Sequence, residues 1–305
     1  MHKTQGENGR ITQDCKMKKW IEAMRLRTLP VSLSGVLCGT ACALLQGSFN
    51  AVVALLCVLF AGLAQVASNF GNEYYDYRNG IDKKGREGFR RGVTEGEITP
   101  KAMKRATYAT LAVAAVIGCT MLCFGPWWLV FVGATIALFA LGYSAGPYPL
   151  SHHGLGDVAV IIFFGVVPVT FTCYLQTGTF DHHTLLTSFA VGLLAANVLI
   201  VNNYRDMEDD KAVNKNTTVV IFGRNVMGWC YLLAGLFAMA AMLPVWMELR
   251  LWSLPIVAVY IVQHLKNWQY LKKAQGAALN PLLGKTAITL LIFSLMLLAV
   301  AIAKR

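Results

Sequence analysis

The chain is short of charge. Asp, Glu, Lys and Arg make up 14% of its 305 residues, where soluble domains carry about 25%. With 56% apolar residues and a mean hydropathy of +0.51, that shortage argues against a water-soluble globule. Eight cysteines are present but none forms a Cys-x-x-Cys pair, so no thiolate metal centre or redox dithiol is indicated. Most lie within or beside apolar runs, where cysteine serves as a small packing residue. The first sixteen residues lack the basic start and apolar core of a cleavable signal peptide. They read as a disordered tail, or as residues upstream of a functional start near Met17.

What the chain has is long apolar runs, several reaching the roughly 20 residues that cross a bilayer. Nine candidate spans fall near 29–47, 51–75, 105–123, 126–143, 157–175, 184–204, 226–247, 251–270 and 285–303. The expected fold is all-α: a polytopic membrane protein of about nine transmembrane helices around a central cavity. Residues 1–19 are expected as a disordered cytoplasmic tail and residues 20–305 as one transmembrane domain. Of 27 Lys and Arg, 24 lie in the N-terminal segment and in the loops after spans 2, 6 and 8. The positive-inside rule puts these in the cytoplasm, which implies a multi-pass protein of the cytoplasmic (inner) membrane. The same asymmetry accounts for the net charge of +11, so no nucleic-acid partner is needed. No obligate protein partner is expected either.

Acids are scarcer still, and ten of the sixteen cluster in the segments closing spans 2 and 6. The first segment holds Asn72, Asp76 and Asp82; the second holds Asn202, Asn203, Arg205, Asp206 and Asp210. Residues four apart share a helix face, so Asn72 aligns with Asp76, and Asn202 with Asp206 and Asp210. Asp82 lies six residues past Asp76, and Gly80 between them is expected to end the helix and let Asp82 fold back. Carboxylates at a membrane boundary are costly unless they meet cations. Two such clusters suit Mg²⁺ ions bridging a diphosphate, with Asn72, Asp76, Asp82, Asp206 and Asp210 as candidate ligands. Arg91, Arg205 and Lys215 are candidates to contact the diphosphate oxygens. The alternative for each is an ordinary polar helix end or topology-setting charge. The doublets His152-His153 and His182-His183 lack metal spacing and read as interfacial, since adjacent side chains point apart. Asp157 opens span 5, where a capping role is open to it. Asp209 and Glu208 lie off the Asp206–Asp210 face and are expected to be solvated.

Five motifs in order resemble the UbiA superfamily of intramembrane aromatic prenyltransferases, from about Trp20 to the C-terminus. They are Arg25-Leu-Arg-Thr-Leu-Pro30, then Gln65-x-x-x-Asn69-x-x-Asn72-x-x-x-Asp76 running on to Asp82, and Arg91-Gly-Val in the following loop. Tyr143-Ser-Ala-Gly-Pro-Tyr-Pro-Leu150 with Gly154-Leu-Gly-Asp157 comes next, followed by Asn202-Asn-Tyr-Arg-Asp206 with Lys215-Asn-Thr217. The Asp76-to-Asp82 interval and Lys215-Asn-Thr217 match the superfamily branch acting on 1,4-dihydroxy-2-naphthoate. The resemblance implies transfer of a polyprenyl group from polyprenyl diphosphate to that acceptor, with Mg²⁺ as cofactor, loss of CO₂ and a demethylmenaquinone as product. It implies catalytic roles for Asp76, Asp206, Asp210, Arg91, Lys215 and Tyr143. Asn72, Arg91, Arg205, Lys215, Asn202 and Asn203 would bind diphosphate, and Arg25, Gln65 and Asn69 the acceptor. Tyr74, Tyr143, Tyr148 and Tyr204 are candidate walls for an allylic cation. A different acceptor such as 4-hydroxybenzoate is the nearest alternative. A cation-coupled transporter is the alternative of another class, although it would place acids at mid-span.

Overall fold

The computed structural model describes residues 17–85 and 87–304. Nine principal helices follow one another: α1 (Leu29–Leu45), α2 (Ala51–Arg78), α3 (Pro100–Met121), α4 (Leu129–Gly142), α5 (Gly156–Thr177), α6 (His182–Ala212), α7 (Thr218–Ala241), α8 (Ser253–Lys273) and α9 (Asn280–Ala303). Among the described residues each expected span has its helix, but the ends shift: α6 runs eight residues past its expected end, and α7 begins eight residues early and bends at Gly223 (φ 80°). A short helix, Leu243–Leu249, separates α7 from α8. Among the described residues, seven helical stretches are long and apolar enough to cross a membrane on their own. α4, at 14 residues, is shorter than that, and α3 opens with a turn bearing Lys101, Lys104 and Arg105.

The starts of the helices are written locally. Asn50 accepts from the Val52 and Val53 amides, Thr99 from Ala102, Asp181 from Thr184 and Thr217 from Val220, each filling a donor that the first turn leaves open. Pro100 at the first turn starts α3 earlier than the apolar run alone indicates. α5 departs from regular geometry: Ile161–Val166 is wound as a π-helix just before Pro168, whose missing N–H breaks the normal ladder. There α5 meets α6 at a close crossing. A Cβ on Gly165 would sit 2.3 Å from the Gly192 Cα, so only glycine allows the approach. Small residues serve this purpose in membranes because packing, not water exclusion, holds helices together.

Residues 1–16 of the expected tail lie outside the described residues. Residues 17–19 are not tail but begin a helix over 17–24. It is held by Trp20 set edge-on to Phe70 of α2 and by Lys19 donating to the Glu97 carbonyl. That helix breaks at Arg25, a non-glycine residue in the left-handed region at φ 52°, before a 3₁₀ turn (Leu26–Thr28) leads into α1. α2 packs chiefly on α3, whereas α6 packs against both α5 and α7 and also touches α1. Helices α6 to α9 pack into a buried core, with Tyr231 and Thr286 hydroxyls 3.2 Å apart and Asn267 donating to Thr289 at 3.2 Å. On the other side α1 to α5 enclose a cavity of about 400 Å³.

Candidate active site

Helix α2 carries Gln65, Asn69, Asn72 and Asp76 along one stripe and ends at Asn79. Gly80, at φ 71°, turns the chain back in a conformation that other L-residues enter only at a cost. The Ile81 and Asp82 amides then donate to the Asp76 carbonyl at 2.9 and 3.4 Å. Asp82 is thereby folded back beside the helix end, and its carboxylate lies 3.3 Å from Arg91 Nε. The loop bearing Arg91 is pinned from below by Glu73, which is 1% exposed and accepts from the Val93 amide at 3.0 Å. Glu73 therefore shapes the arginine loop.

The second cluster closes α6. Asp210 is 2% exposed and sits 3.2 Å from Lys215 Nζ, while its carbonyl accepts from the Lys215 amide at 2.9 Å. Lys215 is thus bent back onto the helix that precedes it. Asp206 is gripped in bidentate fashion by Arg205, at 2.6 and 2.7 Å. The same guanidinium donates to Asn202 at 2.9 Å and to Asn280 of α9 at 3.0 Å. This corrects the expectation for Arg205. Four of its five N–H bonds are engaged and its side chain is 3% exposed, so it holds Asp206 and offers almost nothing to a diphosphate. Asn203 is buried on a neighbouring face and takes part in none of these bonds. Asp209 is half-buried and, at the surface, accepts from the Glu87 amide at 3.0 Å, which ties the loop after α2 to α6.

The loop after α4 joins the two clusters. Ser144 donates to Asn72 at 3.0 Å, and the Ser151 amide to the Tyr143 carbonyl at 3.0 Å. The His152 carbonyl accepts from Asn216, next to Lys215, at 3.0 Å, while its Nε2 stands 3.9 Å from Asp76 Oδ1. His152 is therefore the residue that the sequence reading missed. Its one signal was a place in a Pro- and Gly-rich loop beside the Gly-Pro-Tyr-Pro motif. The Tyr143 hydroxyl lies in the combined field of Asp157, Asp76, Asp210 and Arg25, and Lys215 and Arg25 both act on Asp76. The His152 segment, beside Asp76 on one side and bonded next to Lys215 on the other, brings the two clusters to one place.

Tyr143 also lines the cavity, which runs along α2 to α5 from Cys57, Met121 and Leu175 up to Ser68 and Tyr143. Its walls include Phe60, Phe139, Phe163 and Phe171. The other three tyrosines lie elsewhere. Tyr148 stacks on His153 at 3.6 Å, Tyr204 is buried in the α6–α9 core beneath Arg224, and Tyr74 packs edge-on to Tyr75. The acceptor candidates divide as well. Gln65 faces the cavity, donates to Asn69 and Thr28, and keeps a buried Oε1 with no hydrogen-bond partner among the described residues. Asn69 instead donates to the Met24 carbonyl at 2.9 Å and to Thr28, clasping the break at Arg25. Arg25 directs its charge at Glu73 and Asp76. Asp157 accepts from Thr218 at 2.7 Å and links α5 to α7.

The donor set of carboxylate and amide oxygens matches what Mg²⁺ takes, and the buried Asp76 Oδ1 has no hydrogen-bond partner among the described residues. Asn72, Asp76, Asp82, Asp206 and Asp210 fit such an ion by chemistry and burial.

Comparison with known proteins gives the same direction. The model of the UbiA prenyltransferase family matches residues 32–291. The chain is 34% identical over 289 residues to 1,4-dihydroxy-2-naphthoate octaprenyltransferase of Escherichia coli K12, covering 90% of this chain and 92% of that one. It is also 34% identical over 301 residues to the protein of the same name from Haemophilus influenzae, covering 92% and 94%. Among solved structures, a UbiA homolog from Archaeoglobus fulgidus bound to GPP and Mg²⁺ matches with a TM-score of 0.66 at 19% identity, over 91% of this chain and 99% of that one.

Proposed function

The chain belongs to the UbiA prenyltransferase family, and from that membership we propose that it transfers a polyprenyl group from polyprenyl diphosphate to 1,4-dihydroxy-2-naphthoate in menaquinone synthesis. The observation that carries the reading is a polar site of two aspartate clusters set at the end of an apolar cavity with Tyr143 at the junction.

Arg91 and Lys215 flank the position where the diphosphate group sits and stabilise the charge it gains as the allylic C–O bond breaks. Asp76, Asp82, Asp206, Asp210 and Asn72 would hold Mg²⁺, which would supply further neutralisation of that leaving group. The cavity between α2 and α5 takes the polyprenyl tail and keeps water from the allylic cation. Tyr143 presents an electron-rich face to that cation at the cavity mouth. Gln65, with its open Oε1, accepts a hydroxyl hydrogen of the naphthoate, and Arg25 attracts its carboxylate. The ring carbon bearing the carboxylate attacks the cation. The new C–C bond forms, CO₂ departs leaving its bonding electrons to the ring, and diphosphate is released. The product leaves the site as the quinol form of demethylmenaquinone. The reaction runs on the cytoplasmic face of the inner membrane, as the Lys and Arg distribution argues.

The test is transfer by the purified protein with naphthoate, a polyprenyl diphosphate and Mg²⁺, alongside Asp76→Ala, Asp206→Ala and an EDTA control. Product in the complete mixture and none in the controls supports the reading. Product only from 4-hydroxybenzoate would replace the acceptor, and no Mg²⁺-dependent transfer from folded protein would overturn the reading.

A further inference from the structure

We propose that this chain carries a second metal site, on the membrane face opposite the aspartate clusters, for a divalent transition-metal ion of the Zn²⁺ class. Its ligands are Asp181, His182 and His183 at the start of α6, and Glu248 of the short helix Leu243–Leu249 supports them.

One side-chain ligand atom from each of Asp181, His182 and His183 lies within 4.8 Å of the other two. Asp181 Oδ1 and His182 Nδ1 are 3.3 Å apart. Metal–ligand bonds of about 2.0–2.1 Å in a tetrahedron put neighbouring ligands roughly 3.3–3.4 Å apart. The two imidazoles do not point apart as the sequence reading expects; their centroids are 4.0 Å apart and the rings lean together at 41°. The reason is their place at the helix boundary, where Asp181 is still extended (φ −121°, ψ 146°) and His182 is the first helical residue.

Asp181 divides its work between two oxygens. Oδ2 caps the helix by accepting from the Thr184 amide at 3.1 Å, which leaves Oδ1 for an ion. The carboxylate also offsets the positive end of the helix dipole, which would otherwise repel a cation. Glu248 is a separate observation because it arrives from another part of the chain. Its Oε2 is 3.4 Å from His183 Nδ1, and its carbonyl accepts from Lys304 Nζ at 3.1 Å. A carboxylate on one imidazole nitrogen fixes the ring and its tautomer and leaves the other nitrogen's lone pair for a metal. His182 is 73% exposed, so an ion can enter from water and keep a water ligand. Two imidazoles and one carboxylate select Zn²⁺, Cu²⁺ or Ni²⁺ over Mg²⁺.

The site is remote from the chemistry. His182 and Asp206 lie at opposite ends of α6, about 36 Å apart at 1.5 Å per residue. An ion bound there touches no reacting atom and instead fastens the start of α6 to the turn before α8.

The experiment is calorimetric titration of the full chain in detergent with ZnCl₂, in excess Mg²⁺ to fill the oxygen-rich clusters. Wild type is expected to bind one more Zn²⁺ than His182→Ala/His183→Ala, and Zn²⁺ to raise the thermal midpoint of wild type alone. Glu248→Gln should weaken that extra site roughly 10- to 100-fold, as loss of an outer-shell partner does. With Cu²⁺ as probe, paramagnetic resonance should show coupling to two imidazole nitrogens; among the described residues the aspartate clusters have His152 alone beside them. Equal Zn²⁺ stoichiometry in wild type and double variant, or a copper signal lacking two imidazole nitrogens, overturns the proposal. Should the double variant fail to fold, His182→Gln, at an exposed position, carries the same comparison.

Discussion

Replacing Arg205 with alanine tests the account of the second cluster most directly. The substitution removes two charge-assisted bonds to Asp206 at 2.6 and 2.7 Å, together with those to Asn202 and Asn280. Asp206 is 1% exposed, so water cannot replace the lost partner without opening the bundle. Removing one member of a buried ion pair costs about 3–5 kcal/mol, mostly the penalty of leaving the other charge uncompensated. Arg205→Ala is therefore expected to lose that much stability in Mg²⁺-free buffer, read from equilibrium unfolding in mixed detergent and SDS. Arg205→Lys keeps a charge but not the fork, and should fall between. Mg²⁺ at about 100 times its dissociation constant restores roughly 2.7 kcal/mol if Asp206 is one of its ligands, because an ion that binds only the folded state stabilises it by mass action. An Arg205→Ala protein as stable as wild type without Mg²⁺ would refute the structural role given to this arginine.

Asp76→Asn and Asp210→Asn keep side-chain shape and remove charge; each should lower kcat roughly 10²- to 10³-fold in the transfer assay, the usual cost of losing one pre-set electrostatic partner. Gly80→Ala meets no neighbouring atom, so its whole cost is the left-handed backbone, about 1–2 kcal/mol. It should loosen Asp82 and raise the Mg²⁺ concentration needed for half-maximal rate, while an unchanged Mg²⁺ dependence would remove Asp82 from the metal set. Gly133→Phe projects a ring into open space within the cavity and should disfavour long donors against short ones, read as kcat/KM for each chain length.

The positions of the helices were legible because a bilayer demands long apolar runs, and the 3.6-residue period put Asn72 and Asp76 on one stripe. The return of Asp82 was legible too, from Gly80. What lay beyond the sequence was the set of partners. Asn69 reaches Met24 only because the chain breaks at Arg25, and no periodicity announces that break. Arg205 finds Asn280, 75 residues away, across a helix pair whose packing no local pattern encodes. His152 ends a single 3₁₀ turn (Leu150–His152), too short for any period to set its side-chain direction. The π-wound stretch of α5 answers to its contact with Gly192 as much as to Pro168.

The placement of the cavity separates two kinds of variation. Its wall is built from α1 to α5, whereas Asp206, Asp210 and Lys215 belong to α6 and its loop. Under the proposed reading, in which this cavity takes the polyprenyl tail, substitutions that lengthen, shorten or widen it can accumulate without touching the charged residues of α6 and its loop. A lineage can retune the lipid it makes to membrane thickness or growth temperature while its bond-breaking chemistry stays constant.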